Sequence, residues 1–218
     1  MSTDVASRLT VMGQQRRSLL RTLTQPLLRV SIRLTIVTLA VMTPVMAHAA
    51  LPEGATAPDF TLNGALGGRL LNFSLLKQLN KGPVVLYFFP AAFTAGCTLE
   101  AHAFAEATPS FHALGAAVVG VTAGNTDRVA EFSKEECRNR FAVLADPGAK
   151  VAARYDSQKT QGSFTLSTRT SYVVTPEGQI VLSFTSDDPE AHVQKTLDAV
   201  RAWRSTHSTP QHTTAKKP

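Results

Sequence analysis

The sequence predicts an α/β fold for residues 50–204: a mixed central sheet flanked by helices, with a β-hairpin at its N-terminal edge. Three observations carry the prediction. Val84–Phe89 is continuously apolar, β-branched and aromatic, as suits a strand covered on both faces. Ala116–Val121 is a second run of this kind, and helical spacing fills the interval between the two. Thr175-Pro176-Glu177-Gly178 then separates two strand-like stretches, Thr170–Val174 and Gln179–Phe184, and marks a closing hairpin.

The elements follow in order. Residues 57–62, with Asn63-Gly64 and Gly67-Gly68 after them, read as a short hairpin. Residues 72–77 begin a helical turn that Lys81-Gly82-Pro83 stops. Pro90 ends the first buried strand, because proline donates nothing to a ladder. From Cys97, residues Leu99, Ala103, Phe104 and Ala107 space as one helical face up to Pro109. Residues 126–136 form a polar-faced helix with Val129 and Phe132 inward, residues 141–147 a short strand and turn, and Ala149–Tyr155 another helix. Ala191–Trp203 closes the fold as an amphipathic helix, and residues 205–218, with almost no apolar side chain, read as a disordered tail. A terminal hairpin followed by a helix is how thioredoxin-like sheets end, so the predicted class is a thioredoxin-like fold.

The 218 residues, 44% of them hydrophobic, suffice for one well-filled core. The net charge of +6 is unevenly placed: residues 1–49 hold six arginines against one acid, Asp4, so the rest of the chain is nearly neutral. A neutral body gains little from counterion release, which argues against nucleic-acid binding. Behind Arg33, an apolar run of about a dozen residues ends in Ala47-His48-Ala49-Ala50, the layout of a cleavable signal peptide and too short for a comfortable membrane span. Cleavage is expected after Ala49, giving a periplasmic or secreted protein with no stable membrane association. Gln15-Arg16-Arg17-Ser18 is a weak twin-arginine match, and an Arg- and Ser-rich organelle transit peptide is the alternative. Six histidines lie scattered without metal-ligand spacing, and neither a metal nor another cofactor is expected.

Cys97 and Cys137 are the only cysteines and form no Cys-x-x-Cys pair. Cys97 falls where a central strand passes into a helix, and clefts of α/β sheets open at such strand ends. Unpaired N–H groups and the helix dipole there favour a thiolate. Moving an ordinary thiol by about two pKa units takes about 2.7 kcal/mol. A helix terminus supplies about 1–2 kcal/mol of that. A nearby cation must supply the rest, and Arg169 is the candidate. Taken alone, Thr94 reads equally as a helix cap, Arg169 as a surface strand residue, and Glu100 as a first-turn acid.

Pro90-x-x-x-Thr94-x-x-Cys97 resembles the peroxidatic signature of the peroxiredoxins, and Gly96-Cys97-Thr98-x-Glu100-Ala101 is similar to their bacterioferritin comigratory protein, or peroxiredoxin Q, branch. Ala57-Pro58-Asp59-Phe60, Leu144-Ala145-Asp146 and Arg169-Thr-Ser-Tyr-Val-Val174 continue the resemblance in order, over residues 51–203. It implies a thiol peroxidase acting on hydrogen peroxide or organic hydroperoxides, recycled by a thioredoxin-like or small-thiol reductant, as a monomer or weak dimer. Cys97 would attack the peroxide and become a sulfenic acid. Thr94 and backbone N–H groups would hold the peroxide, Arg169 would stabilise the growing charge, Pro90 would shield the pocket, and Glu100 would orient Arg169.

The chain departs from that branch at His102, where many members carry a second cysteine. Cys137 is then the intramolecular candidate for resolving the sulfenic acid; otherwise it is an idle thiol and an external thiol does the work. By helical angle Cys137 falls away from the inward face, and a link to Cys97 would need local unwinding of the helix. Two rival readings are a periplasmic thiol-disulfide exchange protein and a non-enzymatic binding module on the same fold.

Overall fold

In the computed structural model, which describes residues 50–207, the chain opens with a hairpin of β1 (Thr61–Leu66) and β2 (Arg69–Ser74). Its turn is Gly67-Gly68, both at positive φ (58° and 79°), a conformation that glycine adopts without steric cost. The first strand runs straight through Asn63-Gly64, and the chain reverses at Gly67-Gly68. Ser74 caps the short helix α1 (Leu75–Leu79) by accepting from the Lys77 N–H.

β3 (Val84–Ala91) is an interior strand of a seven-stranded mixed sheet. It pairs in parallel with β4 (Ala117–Gly124) and antiparallel with β8 (Thr170–Val174). β4 in turn pairs in parallel with β5 (Ala142–Ala145), which meets β1; β9 (Ile180–Thr185) forms the far edge beside β8. The order is β2-β1-β5-β4-β3-β8-β9. Alternate residues of β3 feed two cores. Val85, Tyr87 and Phe89 face α2 (Ala95–Ala113), α3 (Val129–Glu135) and α5 (Pro189–Thr206). Val84, Leu86 and Phe88 face α1 and α4 (Lys150–Arg154). Each such side chain contributes about 1.5–3 kcal/mol by leaving water. This is the predicted thioredoxin-like α/β class.

Several details differ from the sequence reading. β3 does not end at Pro90: it lies beyond Phe88, the last residue that β8 pairs, and Ala91 resumes pairing with Gly124 on β4. The missing N–H therefore costs one rung at a strand end. α2 passes through Pro109 for a further turn, because buried Phe111 anchors it and Thr108 donates to the Phe104 carbonyl. Its inward line is Cys97, Glu100, Ala101, Phe104, Thr108 and Phe111, whereas Leu99 is 60% exposed. A carboxylate and a hydroxyl on that line conceal it from a hydrophobicity pattern. The small hairpin of β6 (Gln158–Gln161) and β7 (Phe164–Ser167) was not predicted, since β6 is wholly polar and exposed and the alternation of Phe164 and Leu166 in β7 spans only four residues. α5 is longer than expected at both ends, capped by Asp188 and continuing through Ser205 and Thr206. The leader (1–49) and the tail from 208 lie outside the described residues.

Candidate active site

The loop between β3 and α2 is held at several points. Asn125 donates from Nδ2 to the Ala92 carbonyl at 2.7 Å, and the Ala92 N–H bonds the Gly124 carbonyl at 3.2 Å. Phe93 adopts φ 62°, a left-handed conformation that costs a non-glycine residue about 1 kcal/mol. Contacts offset that cost: the ring packs edge-on to Phe132, and the Arg128 guanidinium lies over it at 3.8 Å. Thr94 is the N-cap of α2, but its hydroxyl does not cap. It donates backward to the Ala91 carbonyl at 3.1 Å, and the side chain faces solvent. Pro90 is half-buried at the end of β3, its carbonyl accepting from the Thr122 hydroxyl at 3.4 Å.

Cys97 is the third residue of α2, within the first turn whose N–H groups lack intrahelical partners. It is 1% exposed. Arg169, in the residue just before β8, donates from Nη2 to Cys97 Sγ at 3.5 Å and from Nη1 to Glu100. Gly96 leaves room for this approach, since a Cβ there would stand 3.1 Å from Arg169 Nη2 and press the guanidinium aside by a few tenths of an ångström. β3–β8 pairing therefore delivers a cation from 72 residues away in sequence to the mouth of α2.

Glu100 is fully buried one turn below Cys97. Burial pushes its carboxyl up to about 8, with the charge and hydrogen bond of Arg169 opposing. Burial works to lower the Arg169 value, but the charges of Glu100 and Cys97 and their hydrogen bonds outweigh it, and the net shift is upward. Glu100 Oε1 and Arg169 Nε have no hydrogen-bond partner among the described residues. Behind Oε1 stands His192 of α5, its Nδ1 at 3.8 Å.

Cys137 is not where a helical projection puts it. α3 has ended at Glu135, and the Cys137 N–H closes on the Phe132 carbonyl, five residues back. That wider turn sends the side chain inward, and Cys137 is fully buried in the same apolar cluster as Cys97. Both are free thiols. Burial, with the Glu136 charge, pushes the Cys137 thiol well up. Glu136 pairs with His102 at 2.7 Å and Arg138 with Glu106 at 3.0 Å, tying both flanks of Cys137 to α2. Tyr87 is buried in the same cluster, its hydroxyl without a partner among the described residues.

The site thus brings together Pro90, Thr94, Cys97, Glu100 and Arg169, with Cys137 in the core beneath. Grooves of about 550 and 590 Å³ lie elsewhere, lined by residues of the β1–β2 hairpin and α3 and by residues such as Pro52 and Thr168; neither is lined by Cys97. A nearly closed thiol suits a very small electrophile.

The AhpC/TSA family matches residues 54–183. Peroxiredoxin Q of Sedum lineare, a chloroplastic protein, is 34% identical over 155 residues, spanning 71% of this chain and 80% of its own. The chloroplastic peroxiredoxin Q of Oryza sativa subsp. japonica is 32% identical over 178 residues, 75% of this chain and 79% of its own. The chain belongs to the AhpC/TSA family, as a peroxiredoxin of the Q branch. The crystal structure of the peroxidoxin BcpB from Mycobacterium tuberculosis superimposes on this peroxiredoxin with a TM-score of 0.64 at 29% identity, covering 70% of this chain and 97% of that one. This peroxiredoxin is therefore a thiol-dependent peroxidase, and the exchange-protein and binding-module readings are not favoured. Two residues escaped the sequence reading. His192 was one of six scattered histidines, and Ser171 an ordinary strand residue. Only packing of α5 on α2 and β8 places them at the site, and no local spacing signals that.

Proposed function

We propose that Cys97 is the peroxidatic residue and that the enzyme reduces hydroperoxides in two thiol steps. The observation that carries this reading is the Arg169 guanidinium at 3.5 Å from Cys97 Sγ, at the start of α2. The thiolate sulfur attacks the terminal peroxide oxygen and donates its electron pair. The O–O bond breaks, a sulfenic acid forms, and the departing alkoxide or hydroxide takes a proton to give an alcohol or water. Arg169 stabilises the thiolate beforehand and the leaving oxygen during the step. The Thr94 hydroxyl, on the exposed side of the loop, and first-turn N–H groups orient the peroxide, and Pro90 shields it.

Cys137 then resolves the intermediate. Its thiol sulfur displaces the sulfenic hydroxyl as water and forms a disulfide, which a thioredoxin-type dithiol reduces back to two thiols. Burial keeps Cys137 protonated in the closed fold, so the first turn of α2 and the segment around Cys137 must open before exchange. Mass mapping after one equivalent of peroxide tests both steps. A Cys97–Cys137 link is expected in the wild type, overoxidised Cys97 in Cys137→Ser, and no peroxide consumption by Cys97→Ser. A wild type that turns over without the link refutes the role of Cys137, and turnover by Cys97→Ser refutes the whole assignment.

Residues 1–49 act as an export signal in this proposal, supported by the arginine-rich start, the apolar run and the Ala47-His48-Ala49 site. The mature protein then begins at Ala50. N-terminal sequencing of the expressed protein checks this, and an intact leader or a different cut site overturns it.

A further inference from the structure

Glu100 poses an electrostatic problem for the site. Its carboxyl shares one guanidinium with the Cys97 sulfur. A charged Glu100 would draw Arg169 away from the sulfur and place a second negative charge one helical turn from it. A neutral Glu100 would leave the cation to Cys97. A neutral carboxyl carries a proton on one oxygen, and in a fully buried position that proton needs an acceptor. Arg169, a donor, occupies Oε2. The proton therefore belongs on Oε1, which has no partner of its own among the described residues and faces His192 Nδ1 at 3.8 Å.

The partners of His192 set its tautomer. The ring is fully buried, against Phe184, and its Nε2 lies 2.9 Å from the Ser186 carbonyl. A carbonyl only accepts, so Nε2 carries the hydrogen. Burial pushes the imidazole down, which keeps it neutral and leaves a lone pair on Nδ1. The Ser171 hydroxyl, at 2.7 Å, donates to that lone pair, and being a rotor it can yield the place. A shift of about 1 Å brings Oε1 within hydrogen-bonding distance. The charged and titratable groups around the pair are Arg169 before β8, Cys97 on α2, Tyr87 on β3, and Asp187 and Asp188 at the start of α5.

We propose that His192 is a positioning residue of the thiol site: its Nδ1 accepts the proton of a neutral Glu100, which keeps the Arg169 guanidinium available to the Cys97 sulfur. The inference rests on the reading of Cys97 as the reacting thiol and adds a residue to it. Hydrogen bonding to the neutral form stabilises that form, so removing the acceptor favours the Glu100 carboxylate.

The test measures alkylation of Cys97 over a pH series, resolved by peptide mass spectrometry, beside peroxide consumption. His192→Leu is expected to displace the pH profile of Cys97 alkylation upward by about one unit, which is about tenfold in rate on the limb where the thiol is mostly protonated. His192→Asn, which keeps an acceptor near Nδ1, restores most of the rate. In a Glu100→Gln background, where no carboxyl proton exists, His192→Leu adds no further loss. An unchanged profile in His192→Leu overturns the proposal, as does an equal loss in the Glu100→Gln background, which would show a packing role alone. Ring ¹⁵N shifts of His192 in the wild type decide the matter independently if His192→Leu does not fold: Nδ1 must be unprotonated at neutral pH, and a protonated Nδ1 refutes it. A wild type that alkylates as expected but consumes no peroxide would instead refute the peroxidase assignment of Cys97.

Discussion

Replacing Arg169 with methionine removes the guanidinium while keeping much of the apolar stem, and its effect divides into two parts. For catalysis, a unit charge at 3.5 Å from Sγ is worth at most about 5 kcal/mol at an effective dielectric of about 20. Glu100 competes for the same cation, so the loss should match that of one preorganised donor, about 10²- to 10³-fold in the oxidation rate. For stability, stripping the partner from a buried charge typically costs about 3–5 kcal/mol. Glu100 avoids most of that, because burial already pushes its carboxyl up to about 8 and Arg169 is what opposes a further rise. Without Arg169 the carboxyl stays protonated at neutral pH, and the cost falls to that of an unpaired neutral group, about 1–3 kcal/mol. The variant should therefore fold, melt several degrees lower, and oxidise slowly. Stopped-flow competition for peroxide measures the rate, and calorimetry the melting temperature. A folded Arg169→Met protein oxidised within about threefold of the wild-type rate, under 1 kcal/mol of barrier, would refute the reasoning that the cation activates the thiol.

Two further outcomes follow from the same geometry. Thr94→Val removes a hydroxyl that, among the described residues, bonds only the Ala91 carbonyl at the surface, so stability should change by no more than about 1 kcal/mol. Peroxide oxidation should slow about tenfold or more, the weight of an orienting hydrogen bond, and an unchanged rate would remove Thr94 from the mechanism. Glu100 should also make folding pH-dependent. The folded carboxyl keeps its proton up to about 8, whereas the ordinary value is 4.5, so the stability it confers is fully present below about 4.5 and lost as pH rises through about 8. Urea midpoints of wild type should fall relative to Glu100→Gln across that window, and parallel curves would count against the raised value.

Much of this was legible in the chain. The buried strands at Val84 and Ala117 were plain because a strand covered on both faces must be continuously apolar. The Pro90–Thr94–Cys97 spacing was legible because a strand end, a loop and a first helical turn are all local. Legibility failed where polarity and packing parted company. Glu100 and Thr108 lie on the inward line of α2 although nothing in their side chains suggests it, and Cys137 turned inward because its helix stopped before it, which an angular projection cannot anticipate.

Local order along the chain sufficed to determine the α/β class, the placing of one cysteine at the mouth of a helix, and the family to which the protein belongs. Tertiary structure alone decided the electrostatics of that cysteine. Arg169 reaches it through the β3–β8 register, Glu100 through burial of α2 on the sheet, and His192 through packing of α5 on both. Coulomb energies and desolvation depend on distances through space, and those contacts join residues separated by up to 92 positions that no sequence periodicity connects.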